Sequence, residues 1–223
     1  SVKQTLTTLK PGEVLLLENL RFEPGEEAND PVFAKQLAAL AEIYVNDAFG
    51  TMHRAHASTY GAAQLFTDRL AGFLVRKEMD VLSQVRDRPV RPFRVVVGGI
   101  KIKDKLSALK ALLPKADTIL LGGGIAYTFL AAQGVATGDS PVEPEFIPWA
   151  KDVLAQYRKH ILLPEDHVIA ANAEQRDRLQ LVHREIPAGF MGLDIGRDTS
   201  LTFAHELLQG TGTIFWNGPL GAF

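Results

Sequence analysis

The sequence predicts an α/β protein whose parallel sheets are covered by helices and divided between two domains. Short apolar runs alternate with helical patterns along most of the chain, and the two clearest runs, Phe93–Val97 and Thr118–Leu121, stop abruptly at glycine clusters. Between the two halves stands Asp87-Arg88-Pro89-Val90-Arg91-Pro92, charged and proline-interrupted as interdomain connections often are.

Taken in order, residues 14–17 read as a buried strand. Asn29, Asp30 and Pro31 then start a helix, with proline in its first turn and Phe33, Leu37 and Leu40 on one face. Residues 43–45 form the next short strand, ending at Asn46 and Asp47, and the strand–helix–strand order argues for parallel pairing. An amphipathic helix follows over 74–86. Beyond the connection come a strand at 93–97, a helix at 104–113 closed by Pro114, a strand at 118–121 and a helix at 125–133 closed by Gly134. A loop rich in proline and acid, 138–148, leads to a further helix and a strand at 161–163. Residues 168–171, 191–195 and 213–216 read as more strands of one doubly wound sheet, with a helix at 199–208. In that architecture ligands lie beyond the carboxyl ends of the strands.

Composition narrows the function. With 223 residues, 46% hydrophobic and 22% charged, the chain can bury a substantial core. A net charge of −2 argues against a general nucleic-acid binder, whose affinity would rest on a basic surface. The absence of cysteine excludes disulfides, thiolate catalysis and cysteine-ligated metals. No apolar stretch reaches membrane-spanning length and residues 1–10 lack the order of a signal peptide, so the expectation is a soluble, cytoplasmic protein without a membrane partner.

The chemistry gathers at strand ends. Phe93–Val97 is followed by Gly98, Gly99, Ile100, Lys101, Ile102, Lys103, Asp104 and Lys105, and Thr118–Leu121 by Gly122, Gly123 and Gly124. A buried strand that turns into a helix at Gly-Gly leaves unpaired N–H groups at the positive end of the helix dipole, a fit for polyphosphate. If the helix has begun, Lys101 and Lys105 fall one turn apart and face the same anion; the plainer alternative is a turn and a solvated helix face. Arg21 leaves the first strand where a guanidinium can grip a phosphate or carboxylate, or else pair with Glu18. Arg54, His53 and His56 make a small cationic patch suited to an anion, and the rival metal site lacks a glutamate-flanked zinc pattern. Residues 216–221 and 192–196 read as strand ends with turns, or as plain core. The Walker sequence is absent, and the dinucleotide fingerprint fails because Tyr127 stands where glycine or alanine is needed.

In fixed order, residues 18–22, 44–56, 98–105, 121–129, 191–196 and 216–221 closely resemble phosphoglycerate kinases, and the resemblance spans the chain. It implies two Rossmann-like three-layer αβα domains, incomplete at both ends. Residues 1–73 would be the remainder of a 3-phosphoglycerate-binding domain, 74–92 an interdomain helix and hinge, and 93–223 a nucleotide-binding domain. The activity implied is the reversible glycolytic transfer from 1,3-bisphosphoglycerate to ADP, giving 3-phosphoglycerate and ATP, by a monomer. Mg2+ would travel with the nucleotide, its protein ligand outside this chain.

Carried over by resemblance, Arg21 and Arg54 bind the acid with His53 beside them, Lys105 contacts the nucleotide phosphates, and Lys101 accompanies the transferring group. Lys101, Lys105 and Arg21 are thus the expected catalytic residues. Gly98, Gly99, Gly123 and Gly124 would border the nucleotide, with Gly192 and Leu193 near adenine, Asn217 and Pro219 near ribose and phosphates, and Asp104 orienting the lysines. The chain departs from the family in lacking an N-terminal part of the acid site and a C-terminal segment with a ribose-binding glutamate and the magnesium aspartate. Ile100 stands where alanine is usual, Glu23 where histidine is common and Arg197 where proline is common. These 223 residues alone are therefore expected to be poorly stable and nearly inactive. A non-catalytic nucleotide-binding module and a nicotinamide-dependent oxidoreductase are the alternatives from other classes.

Overall fold

The computed structural model describes residues 2–174 and 178–222; the expected charged stretch after 171 lies partly outside them. The chain divides into two compact units, 1–83 and 84–223. The first contains α1 (Val2–Thr8), α2 (Pro24–Glu27), α3 (Pro31–Ala38), β1 (Tyr44–Asn46), β2 (Arg69–Ala71) and most of α4 (Phe73–Asp87). Strands β1 and β2 pair in parallel, with Tyr44 opposite Arg69 and Asn46 opposite Ala71. The start of α3 follows its sequence signal, since the Asp30 carboxylate accepts the Phe33 N–H at 2.7 Å ahead of Pro31. Phe33, Leu37 and Leu40 share the wall of a ~430 Å³ cavity with Leu17 and Phe22.

The strand expected at 14–17 does not form. Val14 and Leu16 are 90% and 91% exposed, and a parallel strand acquires its hydrogen bonds only from a neighbour, which none of the described residues provides. Strand β2 escapes sequence reading because three residues are too few to show alternation.

The second unit holds β3 (Phe93–Val97), α5 (Leu106–Leu112), β4 (Thr118–Leu121), α6 (Gly123–Ala132), α7 (Ile147–Tyr157), β5 (Ile161–Leu162), β6 (Asp166–Ala170), β7 (Gln180–His183), β8 (Met191–Ile195), α8 (Arg197–Leu207) and β9 (Thr213–Asn217). Four of these strands form a parallel sheet in the order β5-β4-β3-β9. Alternate residues face opposite ways, so Val95, Val97, Ile119 and Leu121 pack with Leu109, Ile125, Phe129 and Val153, while Val96 and Leu120 pack with Phe203 of α8. Burial on both faces explains why β3 is apolar almost throughout. Its one charge, Arg94, is buried but satisfied: Nε donates to Glu206 Oε1 at 3.1 Å and a second nitrogen to the Gln209 carbonyl.

Two strands expected in that sheet leave it. Strand β6 pairs antiparallel with β7 and β8 in a separate three-stranded sheet. The chain from β6 to β8 contains no helix among its described residues, and a parallel return ordinarily needs a helical crossover. This sheet is tied to α8 by Asp166, whose carboxylate accepts the Asp198 and Thr199 N–H groups at 2.9 and 2.8 Å.

His167, next along β6, is wholly buried with its ring 5.6 Å from that of Tyr127, and neither ring nitrogen meets hydrogen-bond geometry with a partner. Burial holds it below the ordinary histidine value and His183 adds to this, against the Arg184 backbone and the Asp166 carboxylate. Its folded pKa is depressed, so stability is fully present above about pH 6.5 and is lost as pH falls through that value. For Asp166 burial raises the pKa, but hydrogen bonds from Thr199 and Asp198 outweigh it and leave the group low, so its contribution fades only near pH 4 and below. Urea unfolding at pH 7.5 and 5.5 is expected to show a stability loss that His167→Leu flattens; an unchanged loss in the variant would count against this assignment.

Candidate functional site

The loops after β3, β4 and β9 are bound to one another backbone to backbone. Gly98 N–H donates to the Asn217 carbonyl at 2.9 Å and Gly99 N–H to the Pro219 carbonyl at 2.8 Å. Gly122 N–H reaches the Val97 carbonyl at 2.9 Å, Gly123 N–H the Leu220 carbonyl at 2.8 Å, and Ile125 N–H the Gly99 carbonyl at 3.1 Å. The expected crown of free amides at the start of α6 is therefore largely taken up by neighbouring carbonyls, because the helix end abuts two other loops. A Cβ at Gly98 would lie 1.9 Å from the Pro219 carbonyl oxygen, so the close approach admits only glycine.

These loops and β8 enclose a ~470 Å³ cavity. Six residues expected at a nucleotide site share its wall: Gly99, Gly123, Gly124, Gly192, Leu193 and Pro219. Gly98, Lys105 and Asn217 do not line it. Ile100, Tyr127, Pro141 and Met191 do, although sequence reading had not assigned them there. Gly192 owes its identity to Tyr127, whose hydroxyl would lie 1.9 Å from an added Cβ, and its N–H donates to Ser140 Oγ at 2.9 Å. Burial, and then the Asp194 charge, raise the Tyr127 pKa, so the phenol stays protonated.

The lysines are arranged differently from the helical expectation. Helix α5 begins only at Leu106, so Lys101 sits in an exposed turn and is not one helical turn from Lys105. Glycine 99, with φ at +116°, and the burial of Ile102 bend the chain before a helix can start. Lys105 Nζ donates to Asn217 Oδ1. Asp104 is exposed and pairs with neither lysine among the described residues, so the orienting partner of Lys105 is Asn217. Sequence reading also missed Glu143, whose carboxylate accepts the Ile102 N–H from 41 positions away, and no local pattern signals such a contact.

In the first unit, Arg21 stands in a helical turn, Leu20–Phe22, capped by Asn19 Oδ1, which accepts the Arg21 N–H at 3.0 Å. Its guanidinium lies 3.5 Å from Glu27 Oε1, an exposed pair worth little. Glu18, the partner considered from sequence, accepts instead from the Asn19 N–H at 2.9 Å. His53 and Arg54 are exposed in a turn where Arg54 N–H donates to the Thr51 carbonyl at 2.9 Å. Buried Glu26 pins that segment to α2, accepting the Ser58 hydroxyl at 2.5 Å and the Ser58 N–H at 3.0 Å. His56 Nδ1 lies 3.9 Å from Glu26, and no group of three or more acidic or histidine side chains among the described residues suits a metal.

A family model for phosphoglycerate kinase matches residues 1–223. The chain belongs to the phosphoglycerate kinase family. Among curated relatives, the phosphoglycerate kinase of Anaeromyxobacter dehalogenans (strain 2CP-C) is 50% identical over the whole of this chain and 57% of its own length. That of Moorella thermoacetica is 49% identical with the same coverage. Among solved structures, the phosphoglycerate kinase of Coxiella burnetii covers 96% of this chain at 38% identity with a TM-score of 0.77, matched over 56% of its own chain. That of Pyrococcus horikoshii OT3 covers 98% at 27% identity with a TM-score of 0.80, over 58%. The chain thus spans a little over half the length of these family members.

Because the glycine contact is steric, Gly98→Ala is expected to lower stability by about 1–3 kcal/mol in urea unfolding. Gly50→Ala, with nothing within 4 Å of the added carbon, serves as the neutral control. Equal effects of the two would refute the steric reading.

Proposed function

We propose that the chain is part of a phosphoglycerate kinase that transfers a phosphoryl group reversibly from 1,3-bisphosphoglycerate to ADP, giving 3-phosphoglycerate and ATP in glycolysis. The observation that carries this reading is the cavity at the ends of the parallel strands, whose glycine-rich wall gathers Gly99, Gly123, Gly124, Gly192, Leu193 and Pro219. In this reading residues 93–223 take the nucleotide, its base lying against Gly192 and Leu193. Residues 1–73 take the acid through Arg21, Arg54 and His53, with 74–92 as interdomain helix and hinge.

No protein base is required. In the ATP-forming direction the nucleophile is a phosphate oxygen of ADP, and in reverse it is a carboxylate ionised at neutral pH. Charge neutralisation and alignment are what the side chains supply. Lys101, exposed and making no ion pair among the described residues, collects the negative charge of the transferring group. Lys105, held by Asn217, meets the nucleotide phosphates, and Gly98 supports the same loop. The arginines fix the acid. Magnesium would arrive with the nucleotide, contributing charge neutralisation on its phosphates.

No helix among the described residues is long and apolar enough to cross a membrane. A net charge of −2 argues against general nucleic-acid binding, and in this reading the protein is a cytoplasmic monomer.

Calorimetry on the full-length protein carrying this chain tests the reading. Binding of both ADP and 3-phosphoglycerate is expected; ADP alone would indicate a non-catalytic nucleotide module, and NADH alone an oxidoreductase. In kinetic assays Lys101→Ala is expected to cut kcat roughly a hundredfold or more while ADP KM changes little. A rise in ADP KM as large as the fall in kcat would remove Lys101 from the transfer step. The 223 residues by themselves are expected to turn over almost nothing.

A further inference from the structure

We propose that Glu143 is a positioning residue for the lysine-bearing turn 100–105, a role that rests on the phosphoryl-transfer reading above. The turn joins β3 to α5 with little regular bonding of its own; Lys105 N–H donates to the Ile102 carbonyl at 2.8 Å. Three attachments outside the turn fix it. The Ile102 side chain is wholly buried in the core, Lys105 Nζ rests on Asn217, and the Ile102 N–H is given to the Glu143 carboxylate.

Glu143 is itself held. Its N–H donates at 3.0 Å to Oγ1 of Thr128, a residue 1% exposed on α6, and the chain then enters the short turn Pro144–Phe146 that leads into α7. The carboxylate therefore couples the turn to the rigid helical layer over the sheet.

The choice of partner is what points to function. A carboxylate close to a segment bearing Lys101, Lys103 and Lys105 would ordinarily be taken by an ammonium group. Glu143 forms no ion pair among the described residues and spends its oxygen on the amide between Lys101 and Lys103. The backbone carrying the lysines is fixed by a charge-assisted hydrogen bond while Lys101 keeps its charge for an incoming anion. Glu143 touches no reacting atom in this account; it acts through Lys101.

The test compares Glu143→Met, which keeps length and packing but loses the acceptor, with Glu143→Gln, which retains an oxygen for the same N–H. In the full-length protein Glu143→Met is expected to speed Ile102 amide exchange about tenfold or more. It should also lower kcat roughly ten- to a hundredfold with ADP KM nearly unchanged. Glu143→Gln should stay close to wild type in both. Wild-type exchange at Ile102 in Glu143→Met would overturn the inference, as would a fall in kcat accompanied by a comparable rise in ADP KM and a loss of thermal stability, or Gln behaving like Met. A wild-type protein that binds neither substrate would instead refute the functional reading, with the exchange experiment still reporting on the turn.

Discussion

The backbone contact between Gly98-Gly99 and Asn217-Pro219 is the constraint on which the second unit's candidate site depends. It joins the ends of two adjacent parallel strands through paired amides and carbonyls, at a separation that leaves no room for a Cβ. Everything beyond those strand ends is referred to this tie. The Gly99 carbonyl receives the third residue of α6, the 217–220 segment receives Gly123, and Asn217 receives Lys105. A change at one loop is thus felt at the other two, which is how a surface of three loops can be as rigid as the sheet beneath it.

That rigidity alters the account of anion binding that the glycines first suggest. Amides at a helix start attract phosphate when they are free, yet here most are committed to carbonyls of neighbouring loops. In the proposed function, positive charge would then come chiefly from side chains. Lys101 stands exposed, Lys105 is aimed by a neutral amide that leaves its charge intact, and the nearest acid in the turn, Asp104, neutralises neither. The glycines shape an apolar-walled cavity and allow backbones to meet; in the proposed function the lysines would supply the charge.

Sequence alone made much of this legible, and the reasons differ from element to element. Phe93–Val97 and Thr118–Leu121 were readable because strands buried on both faces are apolar along almost their whole length, and Asp30-Pro31 because capping is local chemistry. The antiparallel sheet of β6, β7 and β8 was not, since direction depends on what the connection lacks and not on the strands themselves. The glycines that line the cavity were singled out through glycine runs and family resemblance. The internal partners of the lysine-bearing turn were hidden for a physical reason: Lys105 meets Asn217 across 112 positions and Ile102 meets Glu143 across 41, and neither contact leaves a local pattern. Arg21 likewise faces Glu27, not the nearer Glu18, because the turn Leu20–Phe22 carries it toward α2.

The claim that the cavity beyond β3, β4 and β9 is the nucleotide site is tested most directly by titrating ADP into isotope-labelled full-length protein and following backbone amides. The account predicts that the largest shifts cluster at Gly99, Ile100, Gly123, Gly124, Gly192 and Leu193. Saturating ADP that leaves these amides unmoved, or that perturbs chiefly the distant cavity beside Gln133, Arg158 and Arg184, would contradict it.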